Sequence, residues 1–511
     1  MPVPAALIPP ARLRILEAAF SAFAEEGFGA TRMRRIARDA DCSLGLLYRY
    51  YPSKQALAVA LAHDLAVRGM ERVVELPRGP IAERVAETLR ISLSLLEAHG
   101  SALRGLVTAA LDPDGPLNNL DALRSLQARV SAIVSVAILG AEDAPDGVGA
   151  ARLGRLVEAV HLNLVLLWAR SSEASGRAVA LVEEGMAALM PMLSTVATQN
   201  AMGRLDQVLS PLLGETIDPA SRSTARRILE RLFRHRRLLP GSPADVSLDA
   251  AMAPHLHRLA SVVGSGAPIT IVLVGFAGRT QNLNRVIGPA PDRAERLALA
   301  FLVALQEELG EIHAPGVRLI LASDGLLTGD LLGLSERTLK AYAHQVDAMI
   351  SGKALLWLDL FDVFGEMGVD TARRRLERSW AESDVVPLRK QLDGLQRQLF
   401  ADRMMRSNKP RAAVRQEARD VAGQILRRQR AWRRLLMTGF PDALVLSSTP
   451  QPPIASTMGV LLGTADDVWM TPWSSVILEE DGRSRLVTRL EAEDLGAELI
   501  EVEGDAHFEI R

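Results

Sequence analysis

From Ala11 to about Leu193 the apolar residues recur at three- and four-residue spacing, as in Leu13, Leu16, Ala19, Phe20 and Phe23. That spacing gathers them on one face of a helix. Breaks fall at Pro52, Pro77–Pro80, Asp112–Pro116 and Ala144–Gly149, and the pattern predicts a bundle of eight or nine helices. After Thr195 the pattern changes. Ile269–Val274 and Val317–Ala322 are short runs rich in β-branched residues and bounded by turn residues, with the helical stretch Asp292–Gly310 between them. A strand, a crossover helix and a strand make a parallel βαβ unit. The junction, Thr195 to about Ser223, carries Pro211, Gly214 and Pro219. No internal repeat and no low-complexity tract interrupts the chain.

Composition narrows the function classes. The 511 residues are 48% hydrophobic and 23% charged, with a net charge of −2, which is ordinary for a folded multidomain protein. Cys42 is the single cysteine, so neither an internal disulfide nor a four-sulfur zinc site is expected. Aromatics make up only 4%, too few for a stacking platform that binds single-stranded nucleic acid. The first ten residues hold four prolines and no basic residue, so no signal peptide is expected. The uncharged stretches Ala260–Gly278 and Ala443–Ala465 carry several Gly or Pro and read as buried strands with loops, not membrane spans. A cytoplasmic location is expected. Any nucleic-acid contact must come from a local patch, and two stand out: Ala30–Ala56 at +4 and Asp402–Arg434 at +8.

The first patch has internal order. Arg12–Gly27 reads as a helix ended by Gly27, and Thr31 offers a cap for a short helix Met33–Asp39. A tight turn at Asp41-Cys42 follows. Ser43 can cap a third helix, Leu44–Tyr51, and Ser53 a long fourth helix from Lys54. Two short helices across a tight turn make a helix-turn-helix reader. The run from Thr31 to Leu57, with Ile36-Ala37, Ser43-x-Gly45, Tyr48, Tyr50-Tyr51 and Lys54, resembles the tetracycline-repressor (TetR) type of DNA-binding domain. Asp41 stands where that family usually has Gly, and Asp tolerates the left-handed backbone such a turn needs. The candidate DNA-contacting residues are Thr31, Arg34, Arg35, Ser43, Gly45, Tyr48, Arg49, Tyr50 and Lys54. Lys54 is placed for phosphate, and Gly45 for close approach to the groove. The resemblance further implies a homodimer on a double-stranded operator, with residues 59–195 forming a ligand pocket and a dimer face. His161, in the apolar run Val157–Trp168, reads as a hydrogen-bonded core histidine sooner than as a ligand contact.

The second half carries another resemblance. Val274–Asn282, Val286–Glu295, Pro315–Gly325 with Asp330–Gly333, Tyr342, Phe440–Ala443, Thr471-Pro472-Trp473 and Asp481-Gly482 follow the order of the isocyanide (isonitrile) synthase family. The resemblance implies a site that joins the nitrogen of an amino acid, usually tryptophan or tyrosine, to a carbon from a pentulose phosphate. The residues themselves suit such a site. Asp324 ends a predicted parallel strand, and Arg279 and Asn282 follow another, at the sheet edge where open α/β sheets bind ligands. Candidate catalytic or substrate-binding residues are Arg279, Asn282, Ser323, Asp324, Asp330 and Thr471. Arg279 would hold phosphate or carboxylate, and Asp324 and Asp330 would act as general base or bind hydroxyls. Asp324 reads equally as a turn residue capping a βα loop. The basic stretch Arg411–Arg434 reads as a solvated helix face more readily than as a phosphate site.

This copy departs from that pattern. Arg279 replaces a lysine, Thr280-Gln281-Asn282 replaces Ser-Pro-Asn, Val445–Pro450 lacks the family's histidine, and Ser474 stands where another histidine is usual. Either the chemistry has diverged or the domain binds without turnover. No metal or cofactor is expected: His255-x-His257 reads as a surface pair, and neither a phosphate loop nor a nucleophile elbow is present. The expected fold class is multidomain, an all-α helix-turn-helix plus helical bundle followed by a Rossmann-like α/β domain with a mostly parallel sheet. Its boundaries are 1–58 for the DNA-binding module, 59–195 for the helical domain, 196–222 for a linker and 223–511 for the α/β domain. Two functions follow as expectations: a transcriptional regulator whose second half binds or converts an amino acid and a pentulose phosphate, or an active isonitrile synthase with a fused regulatory module. An enzyme whose DNA module is inert fits the complete recognition helix least well.

Overall fold

The computed structural model describes residues 10–100, 103–104, 107, 121–145, 147–192, 204, 218–364, 368–381, 389–404, 407–502 and 505–510. The expected break at Asp112–Pro116 and most of the expected linker lie outside the described residues.

Local sequence sets the first helices. Helix α1 (Pro10–Ala30) takes its irregularity at Gly27, whose φ of 79° only glycine adopts without strain. Helices α2 (Met33–Asp39) and α3 (Leu44–Tyr50) follow. The turn between them holds Asp41 at φ 48°, the left-handed conformation expected of it. Ser43 caps α3 by accepting from the Leu46 N–H at 3.1 Å, and Ser53 caps α4 (Lys54–Val73) through the Ala56 N–H at 3.1 Å. The bundle continues with α5 (Ile81–Glu97), α6 (Asp121–Leu139), α7 (Gly147–Arg170) and α8 (Ser172–Leu189). Eight α-helices thus precede residue 190 among the described residues, in line with the periodicity.

A helix spans the expected start of the α/β half. Asp218 accepts from the N–H groups of Ala220 and Ser221 and starts α9 (Pro219–Phe233), so the boundary at 223 falls inside a helix. After α10 (Leu248–Gly264) come β1 (Ile269–Gly275), α11 (Arg293–Ile312) and β2 (Val317–Ser323), the βαβ unit expected from sequence. Next are α12 (Gly325–Leu332), α13 (Glu336–Ile350), β3 (Leu355–Leu358), α14 (Leu360–Phe364), α15 (Val369–Trp380), α16 (Arg389–Met404) and α17 (Arg411–Gly439). Strands β4 (Leu444–Ser447) and β5 (Met458–Gly459) complete a five-stranded sheet of order β3-β2-β1-β4-β5, parallel throughout. Its central strands are buried on both faces, which is why they read as continuous apolar runs. The chain leaves β1 toward β2 on one side and meets β4 on the other, so a crevice opens at the carboxyl ends of β1 and β4. A second sheet, absent from the sequence reading, joins β6 (Val476–Glu480), β7 (Arg483–Val487), β8 (Glu498–Val502) and β9 (Asp505–Glu509) in the order β7-β6-β9-β8. Its strands are five residues each, carry charges and show no alternation of buried and exposed positions, which hides them from periodicity.

The halves share a core. Leu13, Leu16, Leu47 and Leu57 of the helix-turn-helix belong to one buried cluster with Val272 and Ile320 of the sheet and with Trp380 and Trp432. Helix α4 lies along α17, and α6 along α10. A buried ion pair fastens the seam. Arg434 of α17 gives Nε and Nη2 to the two carboxylate oxygens of Asp64 on α4, at 2.5 and 2.7 Å. Arg129 of α6 donates to the carbonyls of Met437 and Pro441. The expected surface pair His255 and His257 is corrected here. His255 is 3% exposed, and His257 bonds Ser135 of α6 at 3.0 Å, because α10 turns this face toward the bundle. Among the described residues no helix is long and apolar enough to cross a membrane, and no cluster of three or more His, Cys, Asp or Glu could hold a metal ion.

Candidate functional site

The helix-turn-helix presents one open basic face. Arg34, Tyr48 and Arg49 are exposed, as are Ser43 and Gly45. Tyr48 keeps 44% of its surface. Arg32, not singled out in the sequence, stands exposed beside them. None of Arg32, Arg34 and Arg49 has a hydrogen bond or ion pair among the described residues. Buried Ile36, Ala37 and Leu47 hold the two short helices together behind this face.

Four residues expected there are otherwise engaged. Thr31 is 2% exposed and does not cap α2; its hydroxyl donates back to the carbonyls of Gly27 and Ala22, at 2.8 and 3.2 Å, and so closes α1. Lys54 gives its ammonium to the carbonyls of Phe28, Gly29 and Thr31 at 2.8, 3.1 and 3.2 Å, which occupies all three donors at the end of α1. Arg35 is held by Glu25, Glu26 and Asp39. Tyr50 is half-buried against the core. The reason is common to all four: each side chain faces α1 or the core, a direction set by tertiary packing.

In the second half a cavity of about 540 Å³ opens at the switch point of the parallel sheet. Its walls include Ala277, Gly278 and Thr280 after β1, Asp324 and Thr328 after β2, and Ser448–Pro450 after β4, with α16 and α17 closing the side. A side chain at position 325 would come within 2.9 Å of the Ala277 carbonyl, so Gly325 lets the β1 and β2 loops meet at its floor. Asp324 is 2% exposed; its Oδ2 accepts from Gln429 Nε2 at 2.6 Å, while Oδ1 has no partner. Burial raises its pKa, against the lowering effect of the Gln429 bond. A carboxylate held from one side, with its other oxygen open, can accept a proton or an ammonium group.

The other sequence candidates divide. Asp330 lines the cavity, but both oxygens accept from Arg428 at 2.7 and 2.9 Å, with Arg373 at 3.4 Å, so it is no free base. Thr471 also lines it and forms a capping box with Ser474, hydroxyl to hydroxyl at 2.8 Å. Asn282 reaches the cavity only through Asp402, to which it donates at 2.7 Å. Ser323 is turned inward, donating to the Phe276 carbonyl and accepting from the Gly325 N–H. Arg279 is the main correction. Its side chain is fully buried and clamped by Asp292 at 2.7 Å, Glu295 at 2.6 Å and the Ser475 carbonyl at 3.0 Å, so it braces the first loop and does not line the cavity. Burial pushes Glu295 up to about 8, with Arg279 pulling it down and Asp292 pushing it further up. His161 bonds Ser92 at 2.7 Å, as a satisfied core histidine does, and burial lowers its pKa to about 4.

The basic stretch Arg411–Arg434 is only partly a solvated face. Arg411, Arg415 and Arg427 are exposed. Further along, Gln429 and Arg428 reach the cavity carboxylates, and Arg430 and Arg434 reach α4. Gln429 and Arg428 were missed in the sequence, since their partners lie about a hundred residues away and no motif marks them.

Comparison with known proteins agrees with this division. Residues 15–61 match the family described as bacterial regulatory proteins, tetR family, and residues 259–500 match the family described as pyoverdine/dityrosine biosynthesis protein. An L-tryptophan isonitrile synthase (AmbI2) of Fischerella ambigua is 28% identical over 295 residues, covering 55% of this chain and 89% of that protein. An L-tyrosine isonitrile synthase of Pseudomonas aeruginosa is 29% identical over 308 residues, covering 56% and 93%. The HTH-type transcriptional repressor KstR of Rhodococcus jostii is 38% identical over 84 residues, 16% of this chain and 37% of that protein. The crystal structure of the PvcA protein from Pseudomonas aeruginosa aligns at a TM-score of 0.52 and 27% identity, over 56% of this chain and 99% of that one.

Proposed function

We propose that this TetR-like module joined to an isonitrile synthase-like domain is a cytoplasmic, homodimeric transcriptional regulator. It reads a double-stranded DNA operator through α3, and its α/β domain binds or converts an amino acid and a pentulose phosphate. The observation that carries the reading is the exposed face of Arg32, Arg34, Tyr48 and Arg49, whose three guanidiniums have no partner among the described residues. Unpaired arginines beside a recognition helix suit phosphate and base edges. Leu162 and Leu181, 44% and 68% exposed on α7 and α8, are apolar side chains that a second copy would cover.

The open oxygen of Asp324 favours a second reading, an active isonitrile synthase that carries its own regulator. One experiment separates the two. The full chain is incubated with ribulose 5-phosphate and each of the twenty amino acids, with products read by mass spectrometry and melting temperature followed in parallel. A new isonitrile supports turnover. A raised melting temperature without product supports a sensor. Neither response, with any amino acid, overturns the assignment of the cavity.

A further inference from the structure

A second cavity, of about 260 Å³, lies between the two halves of the chain. Its walls are the end of α4, the middle of α17 and the loop after β4. Arg427, Arg430 and Arg433 enter it from α17 at three-residue spacing, which places them on one side of the helix. Facing them are Glu71 of α4 and Glu75 just beyond its end, both paired to Arg430, at 3.0 and 3.6 Å. Arg433 has no hydrogen bond and no ion pair among the described residues. It sits between the charges of Glu71 and Asp324 and feels both. Ser456 and Thr457 bring hydroxyls to the opposite wall.

Guanidinium donors that have no protein acceptor and line a chamber are available to a ligand. The two cavities differ in charge. The larger is lined by Asp324, Asp330, Asp402 and Glu417 against Arg403 and Lys409, and both of those cations are already paired to Glu417. The smaller is lined by three arginines against two glutamates. Leu426 and Gln391 belong to both linings, so the chambers share a wall.

We infer that the smaller chamber is an anion site, in which Arg433, with Arg427 and Arg430, holds the phosphate of a small phosphate ester. Guanidinium and phosphate match in charge and in bidentate geometry. The ligand competes with Glu71 and Glu75 for Arg430, so it draws on the contact that joins α4 to α17. This goes beyond the proposed function, since the site needs neither DNA binding nor turnover. The ester has two possible sources: a separate effector, or the phosphate end of a pentulose phosphate that reaches across the shared wall.

Calorimetric titration of the full chain with inorganic phosphate, and separately with ribulose 5-phosphate, tests it. Saturable phosphate binding is expected. Arg433→Gln weakens it by about tenfold or more, the loss of one charge-assisted contact. Glu71→Gln removes one of the carboxylates that compete for Arg430 and tightens phosphate binding, and this variant decides the matter should Arg433→Gln fold poorly. Asp324→Asn separates the sources: it weakens ribulose 5-phosphate relative to inorganic phosphate if the ester spans the wall, and shifts both titrants alike if a separate effector binds. Absence of saturable phosphate binding, or parental affinity in both the Arg433→Gln and Glu71→Gln variants, would overturn the site.

Discussion

At the scale of single residues, burial and pairing decide what each charge can do. Asp324 keeps one oxygen open in a cavity wall, so Asp324→Asn is expected to cut turnover, or amine binding, by about a hundredfold. Its melting temperature should stay at or above the parent's, because the amide still accepts from Gln429. A fall in both together would make Asp324 a structural cap. Arg434→Met leaves the fully buried Asp64 without its bidentate partner and should cost about 3 kcal/mol or more in chemical denaturation. Asp324 was legible in the sequence because its place at a strand end is a matter of topology. Arg279 misled for a physical reason. An arginine after a strand suits a ligand and a buried clamp equally, and only the fold shows Asp292 and Glu295 turned toward it.

At the scale of elements, the Ser43 and Ser53 caps and the Asp41 turn were legible, whereas the expected Thr31 cap and the helix faces were not. Ser43, Ser53 and the Asp41 turn act through neighbours within three residues, which spacing reveals. The facing of α17 depends on Asp64, Glu71, Asp324 and Asp330, all distant in sequence, so its basic run looked solvated throughout. The same distinction separates two classes of variant in the DNA-binding module. Arg49→Ala and Tyr48→Ala remove exposed groups and should abolish specific DNA binding with the melting temperature unchanged. Lys54→Met removes three hydrogen bonds that close α1. It should lower stability by about 1–2 kcal/mol and weaken DNA binding only in step with that loss, in melting and band-shift assays run side by side.

At the scale of the whole molecule, two halves that read as separate domains share a core and a charged seam, so they should melt together. Acid should loosen them. Burial holds His161 near pKa 4 and His255 and His257 near 3, each well below the ordinary value for histidine. These groups stay neutral in the fold, while the unfolded chain takes up protons below about pH 6.5. Their contribution is therefore complete above that pH and is lost as pH falls toward the folded values. The melting temperature should drop steadily between pH 7 and 5, and His257→Gln should flatten that decline; an unchanged slope would place the acid sensitivity elsewhere. Whether this chain reads DNA is tested by selection of random duplexes on the full-length protein, beside the Arg49→Ala variant. One two-fold symmetric sequence is expected to be enriched, bound less tightly as salt rises and lost in the variant. No enriched sequence, or the same sequence retained by Arg49→Ala, would contradict it.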